Sequence, residues 1–122
     1  MKNYGKERLR AGAGAVSRMK ILKHVVMWRF LDEAEGRTKA ENMRYCAERL
    51  RGLVGVAPTL LALEIGEDEL HSPASFDMAL ICDFEDLEGM LAYRDFPPHR
   101  EISAYIGKVT SERVVSDFFI EK

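Results

Sequence analysis

The sequence predicts an α+β fold whose elements run strand, helix, strand, strand, helix, strand along the chain. Apolar and polar residues alternate in the strand segments, which is the period of a half-buried strand. The helix segments instead repeat apolar residues at three- and four-residue steps. Glycines and prolines stand between these segments and separate one type of element from the other.

Composition narrows the class of protein before any element is placed. A chain of 122 residues with a net charge of −2 fits one domain, and it carries no basic stripe of the kind that binds nucleic acid. No apolar run approaches the roughly 18 residues that span a membrane. Cys46 and Cys82 lie far apart and no secretion signal precedes them. We therefore expect reduced thiols and a cytoplasmic location.

The first 18 residues differ from the rest, because they are basic, rich in Ala and Gly, and without periodicity. Met19 stands directly before the first strand-like run. We interpret residues 1–18 as a flexible leader, a cloning remnant or an extension from an upstream start, with a functional basic arm as the alternative. The predicted domain then spans residues 19–122.

The first strand is predicted over residues 21–31 and has two unequal faces. Its even-numbered positions are apolar except for His24, whereas the odd-numbered row contains Lys23 and Arg29. Branched and aromatic side chains favour a strand here. Residues 32–36 are predicted to form a loop.

The first helix has a clear start signal, because Thr38 and Glu41 fit a capping box. Gly52, Gly55 and Pro58 end it. Apolar residues at helical spacing, with Cys46 at their edge, predict a buried stripe made of Ala40, Met43, Ala47, Leu50 and Val54.

The second strand is predicted over residues 59–65 and ends at Gly66, and a polar loop over 67–75 leads to the third strand. The third strand covers residues 76–84. Its even-numbered row is apolar and its odd-numbered row carries charges, which predicts burial of the even row.

Asp86 is predicted to cap the second helix, whose apolar stripe is Leu87, Met90 and Leu91. Pro97 and Pro98 interrupt this helix, and Pro98 suits the first turn of another. That further helix places His99, Ile102, Tyr105 and Ile106 at helical spacing and is predicted to end at Gly107. Residues 113–120 form the last predicted strand.

This order is the ferredoxin-like βαββαβ pattern, an antiparallel four-stranded sheet with the helices on one face. The other face would be open. Apolar residues on that face predict that two copies pair through it into a dimeric α/β barrel. We assign the odd-numbered sheet row to this surface, including Val25, Met27, Val115 and Phe119.

Several short segments stand in a recognisable order along the chain. They are Lys23–Val26 in the first strand, Asp77 before the third, Phe84–Glu88 opening a helix, Tyr93 with Pro97, Pro98 and His99, and Asp117 with Phe118 near the end. Taken together over about residues 20–120, they resemble the stress-responsive dimeric α/β-barrel (Dabb) family. One departure is Phe96, where the family often has a histidine.

The resemblance implies a pocket between sheet and helices in which a His/Tyr pair works, as in plant members that cyclise polyketides. Those roles would fall on His99 as base and Tyr93 as hydrogen-bond donor. A helix start disfavours a protonated histidine, so His99 should stay neutral. His24 would orient His99 or bind the ligand.

The same reasoning predicts a small apolar ligand and no cofactor, no metal and no nucleic-acid or membrane partner. The predicted ligand-binding residues are His24, Val26, Trp28, Met43, Cys46, Leu50, Leu80, Cys82 and Ile102.

An ordinary structural interpretation also exists for His99, Tyr93 and His24. His99 would cap or pack, Tyr93 would hold the Pro97 loop, and His24 would be a satisfied core histidine. The chain would then be a non-catalytic homodimeric protein related to stress. A heme-degrading monooxygenase is a further alternative, although its expected Asn and Trp partners cannot be placed.

Overall fold

A computed structural model describes residues 20–121, so the predicted leader at residues 1–18 lies outside the described residues. Four antiparallel strands form one sheet, namely β1 Lys20–Phe30, β4 Ala62–Glu67, β5 Met78–Phe84 and β6 Thr110–Glu121. Their spatial order is β4-β5-β1-β6. A short hairpin between β1 and the first helix contains β2 Glu33–Ala34 and β3 Arg37–Thr38. The helices are α1 Lys39–Arg51, α2 Leu87–Asp95 and α3 Pro97–Val109.

The strand order and antiparallel pairing confirm the predicted ferredoxin-like α+β fold. The four-stranded sheet of one chain is open, so a barrel needs a second copy. The main difference from the prediction is the hairpin of β2 and β3, which forms where a loop was expected. The second strand also begins at Ala62 instead of Thr59, because the segment after α1 turns through the buried Ala57 and Leu60 first.

Helix α1 begins as predicted, with both hydrogen bonds of the capping box between Thr38 and Glu41. Its predicted stripe is wrong at both ends, because Ala40 and Val54 are exposed. The helix ends at Arg51, so helical spacing no longer applies to Val54, and the turn buries Leu53 instead. Cys46 lies fully buried at the centre of the stripe.

Helices α2 and α3 bend apart at the proline pair. Asp86 caps α2 through a 2.8 Å hydrogen bond from the Gly89 amide. The predicted stripe is wrong at Leu87 and Leu91, which are exposed, while Gly89 and Tyr93 face the interior. Helix α3 runs through Gly107 and ends at Val109. The C-cap residue Thr110, whose hydroxyl donates to the Ile106 carbonyl, marks the true end.

The two faces of the sheet differ as predicted on β1 and β5, where the even-numbered rows are buried beneath the helices. The assignment is wrong on β6. Residues opposite one another on paired strands point to the same face, and Val115 and Phe119 lie opposite the buried Val26 and Leu22. Both therefore lie on the helix side.

The open face of β6 instead carries Val114 and Phe118, which lie opposite Met27 and Lys23. Met27, Val114 and Phe118 are 38%, 42% and 45% exposed. These three apolar side chains, together with an ion pair between Lys23 and Asp83 at 2.8 Å, mark the open face. The alternation within β6 could be predicted from sequence, but its register against β1 could not.

Candidate functional site

A partly open cavity of about 550 Å³ lies between the helix side of the sheet and helices α2 and α3. Its volume is typical of sites that bind small molecules. The apolar side chains of its wall are Val26, Trp28, Leu50, Leu80, Met90, Leu91, Ile106 and Val115. The polar side chains of its wall are His24, Tyr93, Arg94, His99, Ser103, Thr110, Arg113 and Asp117.

The junction of α2 and α3 brings Tyr93 and His99 together. Phe96 has an extended backbone, as the residue before a proline favours, and Pro97 begins α3 in the next position. This break between the helices lies between the two side chains, and their ring centroids lie 4.3 Å apart at a 41° tilt. The other side of the Tyr93 ring contacts Phe84 at 5.1 Å between centroids.

The surroundings of His99 determine which ring nitrogen carries its proton and lower the pKa of the imidazole. Its Nδ1–H can donate to the Arg94 carbonyl at 3.3 Å, which leaves Nε2 with a free lone pair. Burial is the largest cause that lowers the pKa of His99, and the nearby charges of His24 and Arg113 lower it further. The hydrogen bond to Arg94 acts in the opposite direction without reversing the shift. The imidazole is therefore neutral near pH 7, which a base requires.

Tyr93 keeps its hydroxyl proton, because burial strongly raises the pKa of the phenol. The residue is only 2% exposed, and its hydroxyl has no regular hydrogen-bond partner among residues 20–121. The hydroxyl interacts with the thiol of Cys82, a weak hydrogen-bonding group whose own pKa burial raises to about 12. A buried hydroxyl without a strong partner is uncommon in folded proteins, so a ligand atom would supply the hydrogen bond that the protein does not.

His24 and Asp117 form a second polar pair at the cavity. They lie opposite each other on β1 and β6, and His24 Nδ1 is 2.6 Å from the Asp117 carboxylate. A carboxylate accepts hydrogen bonds, so His24 donates through Nδ1–H and its Nε2 is the ring atom left for another partner. The sequence placed Asp117 only in the family resemblance, because its contact with His24 depends on strand register.

Trp28 and Arg113 occupy another part of the cavity wall and are also directly opposite on β1 and β6. Trp28 is 4% exposed, and its Nε1–H has no acceptor among residues 20–121. Arg113 was missed from sequence because its place on the cavity wall, like the contact of Asp117 with His24, depends on the register of β6 against β1.

The structure brings together seven of the predicted site residues on the cavity wall, namely His24, Val26, Trp28, Leu50, Leu80, Tyr93 and His99. Four predicted ligand-binding residues are not on it. Met43, Cys46, Cys82 and Ile102 belong to the packed core instead. Cys82, for example, faces the helices but is covered by Tyr93.

No three His, Cys, Asp or Glu side chains in residues 20–121 are grouped in a way that could hold a metal ion. None of the helices within that range has the length and hydropathy needed to cross a bilayer.

The open antiparallel sheet and the layer of helices on one face define a ferredoxin-like α+β protein, and a cavity lies between the two layers. The chain belongs to the Dabb family, the stress responsive A/B barrel domain, whose model matches residues 22–120. No match was found among curated protein sequences.

Solved structures with the same fold agree with this assignment. A dimeric ferredoxin-like protein of unknown function from Thermobifida fusca is 24% identical with a TM-score of 0.71, over 83% of this chain and 92% of its own. A dimeric protein of unknown function from Bacteroides fragilis is 20% identical with a TM-score of 0.71, over 82% and 96%. The hydroxynitrile lyase from Passiflora edulis is 19% identical with a TM-score of 0.70, over 84% and 94%.

Proposed function

We propose that the protein binds a small, largely apolar molecule in the cavity and moves a proton on it, with His99 as base and Tyr93 as donor. The observation that carries this proposal is the stacking of a neutral His99 on Tyr93, whose buried hydroxyl lacks a partner, at one cavity wall. Both groups are then in the protonation state that the chemistry needs.

The reaction class is proton abstraction from a carbon next to a carbonyl, the first step of an aldol or Claisen-type cyclisation. His99 Nε2 would accept the proton while the C–H electron pair moves onto the carbonyl oxygen. The Tyr93 hydroxyl would donate a hydrogen bond to the resulting enolate. Ring centroids 4.3 Å apart place both groups within reach of one small substrate. His24, held by Asp117, would orient the substrate.

Support for catalysis on this fold comes from the Passiflora edulis protein, whose name describes a lyase. The family description adds a role in the stress response. The cytoplasm fits the two free, buried thiols of Cys46 and Cys82.

Deuterium exchange tests the proton-transfer proposal without knowledge of the natural substrate. The protein in D₂O should accelerate loss of the α-proton signal of small aryl methyl ketones in ¹H NMR spectra. His99→Ala and Tyr93→Phe should each reduce this rate by about 100-fold, within the range for a lost acid or base group.

His71→Ala is the matched control, because it removes a histidine from an exposed loop outside the cavity wall. Exchange that survives His99→Ala at the unaltered rate would contradict the assignment of the base. Exchange no faster than in buffer, with no ketone bound, would favour the non-catalytic homodimer.

We also propose that two copies pair through the open sheet face. Its exposed Met27, Val114 and Phe118 support this, as does the dimeric state in the descriptions of the Thermobifida fusca and Bacteroides fragilis proteins. Burial of each such side chain contributes about 1.5–3 kcal/mol at most.

Phe118→Asp should therefore convert the dimer to a monomer at micromolar concentration, as measured by light scattering. Val56→Asp is the control, since Val56 is more exposed at 57% but lies in the turn after α1. A stable monomer of the unaltered protein would contradict this pairing.

A further inference from the structure

Among the charged side chains of the cavity wall, Arg113 alone has no side-chain partner among the described residues. The Asp117 carboxylate is held by His24 at 2.6 Å, and the Arg94 guanidinium is held by Asp95 at 3.1 Å. The Arg113 guanidinium has no carboxylate partner and no hydrogen bond within residues 20–121. The cavity wall therefore carries one exposed cation that no protein carboxylate pairs.

A second unsatisfied donor lies beside this cation. Trp28 is directly opposite Arg113 in the register of β1 and β6, where side chains of paired residues are about 5 Å apart at Cβ. The indole Nε1–H of Trp28 is buried and lacks an acceptor among the described residues. Because an indole can only donate, this part of the wall offers two donor groups. It lacks the acceptor that would satisfy them.

The order of residues along β6 separates the cation from the carboxylate on the cavity wall. Arg113, Val115 and Asp117 alternate on the helix side of the strand, and two residues advance about 7 Å. The Cα atoms of Arg113 and Asp117 are thus about 14 Å apart, with the exposed Val115 between them. An anion would avoid Asp117 and settle at Arg113, while its apolar part extends along Val115.

We propose that Arg113 and Trp28 form a subsite for a carboxylate, so that the ligand of this cavity is an amphipathic monoanion with an apolar body. This inference rests on the proposed function, because it specifies which small molecule the same cavity takes. The apolar body would contact Val26, Leu80 and Ile106. The carboxylate would receive the charge-assisted hydrogen bonds that guanidinium groups make best.

Octanoate and 1-octanol are the probes for this proposal, because they share an eight-carbon body and differ in charge. Trp28 is the single tryptophan of the chain, so its fluorescence reports binding at the cavity directly. Titrations at submicellar concentrations should give octanoate about tenfold tighter binding than octanol, the ratio expected for hydrogen bonds to a charged group.

Arg113→Gln should abolish this preference by weakening octanoate about tenfold while leaving octanol binding unchanged. Arg44→Gln is the matched control, because it removes the same charge from an exposed position of α1 outside the cavity wall. It should retain the preference for octanoate. Far-UV circular dichroism of each variant verifies that it is folded.

The outcomes separate this inference from the function on which it rests. Equal affinities for octanoate and octanol in the unaltered protein would overturn the carboxylate subsite and leave the apolar cavity site standing. An octanoate preference that survives Arg113→Gln would also overturn it, because the anion would then bind elsewhere. Absence of any fluorescence change with either probe would overturn both the subsite and the proposed ligand site.

Discussion

Two clusters of aromatic and polar side chains in this molecule differ in whether their hydrogen bonds are satisfied. The hairpin cluster joins the β2–β3 hairpin to α1 and α3 and consists of Arg37, Asn42, Tyr45 and Tyr105. The cavity cluster lies between the sheet, α2 and α3 and consists of Trp28, Tyr93, His99 and Arg113.

In the hairpin cluster the buried polar groups have partners. The Tyr105 hydroxyl donates to Asn42 Oδ1 at 2.5 Å and accepts from Arg37 at 2.8 Å. Asn42, fully buried, donates in turn to the Ala34 carbonyl at 3.1 Å. The Arg37 guanidinium also stacks 4.2 Å from the Tyr45 ring centroid. Such a network stabilises one arrangement of the chain and leaves nothing for a ligand to bind.

In the cavity cluster two buried donors and one cation lack partners. Leaving such groups unpaired costs stability, typically about 1–3 kcal/mol for each buried group. An aromatic and polar composition alone therefore does not identify a ligand-binding site. Hydrogen-bond saturation separates the structural cluster from the one suited to a ligand.

The largest effect is expected when the satisfied cluster is broken at its centre. Asn42→Ala should lower the free energy of unfolding by about 3 kcal/mol, because it leaves the Ala34 carbonyl and the Tyr105 proton without partners in the interior. Urea denaturation at fixed protein concentration measures the change, since the proposed dimerisation would make stability depend on concentration.

Arg44→Ala, on the exposed side of the same helix, is the control and should change the free energy of unfolding by less than about 0.5 kcal/mol. A loss at Asn42 no larger than at Arg44 would mean that the hairpin cluster is not a stabilising network.

One chemical change made in both clusters tests the comparison most directly. Tyr105→Phe should reduce the free energy of unfolding by about 1.5 kcal/mol, because it removes a hydroxyl that donates once and accepts once. Tyr93→Phe should leave it within about 0.5 kcal/mol of the unaltered value, because its buried hydroxyl lacks a regular partner.

Each variant serves as the control for the other, and urea denaturation measures the free energy of unfolding of both. Equal losses would show that the Tyr93 hydroxyl makes a strong bond to the protein. The argument for a ligand at that position would then fail.

Local sequence signals predicted most of the fold. The capping box at Thr38 and the proline pair at Pro97 act over a few residues, so they could be recognised without knowledge of the tertiary structure. The even-numbered rows of β1 and β5 were predicted for the same reason. Gly107 misled the prediction because an exposed glycine within a helix has only a modest cost.

Non-local contacts account for what the sequence did not reveal about the site. Tyr93 and His99 are six positions apart, and the family resemblance drew attention to them. Arg113 and Asp117 reach the cavity through the register of β6 against β1, which alternation within β6 cannot supply. Asn42 escaped notice because its partner Tyr105 is 63 residues away.

The smallest expected effect is a pH dependence of stability that originates in the cavity cluster. The pKa of His99 is lowered in the folded protein, chiefly by burial and further by His24 and Arg113, from an ordinary value of 6.5. As pH falls below about 6.5, the unfolded chain therefore takes up the proton before the folded one does. The state that binds more protons is favoured as pH falls, so folding stability decreases.

His99→Gln should remove this contribution and flatten the decline in the free energy of unfolding between pH 7.5 and pH 5.0, measured by urea denaturation at each pH. His71→Gln supplies the matched comparison from an exposed loop. A decline in His99→Gln as steep as in the unaltered protein would show that His99 binds its proton equally in both states. The neutral base that the proposed chemistry requires would then lose its physical basis, while the satisfied network around Asn42 would be unaffected.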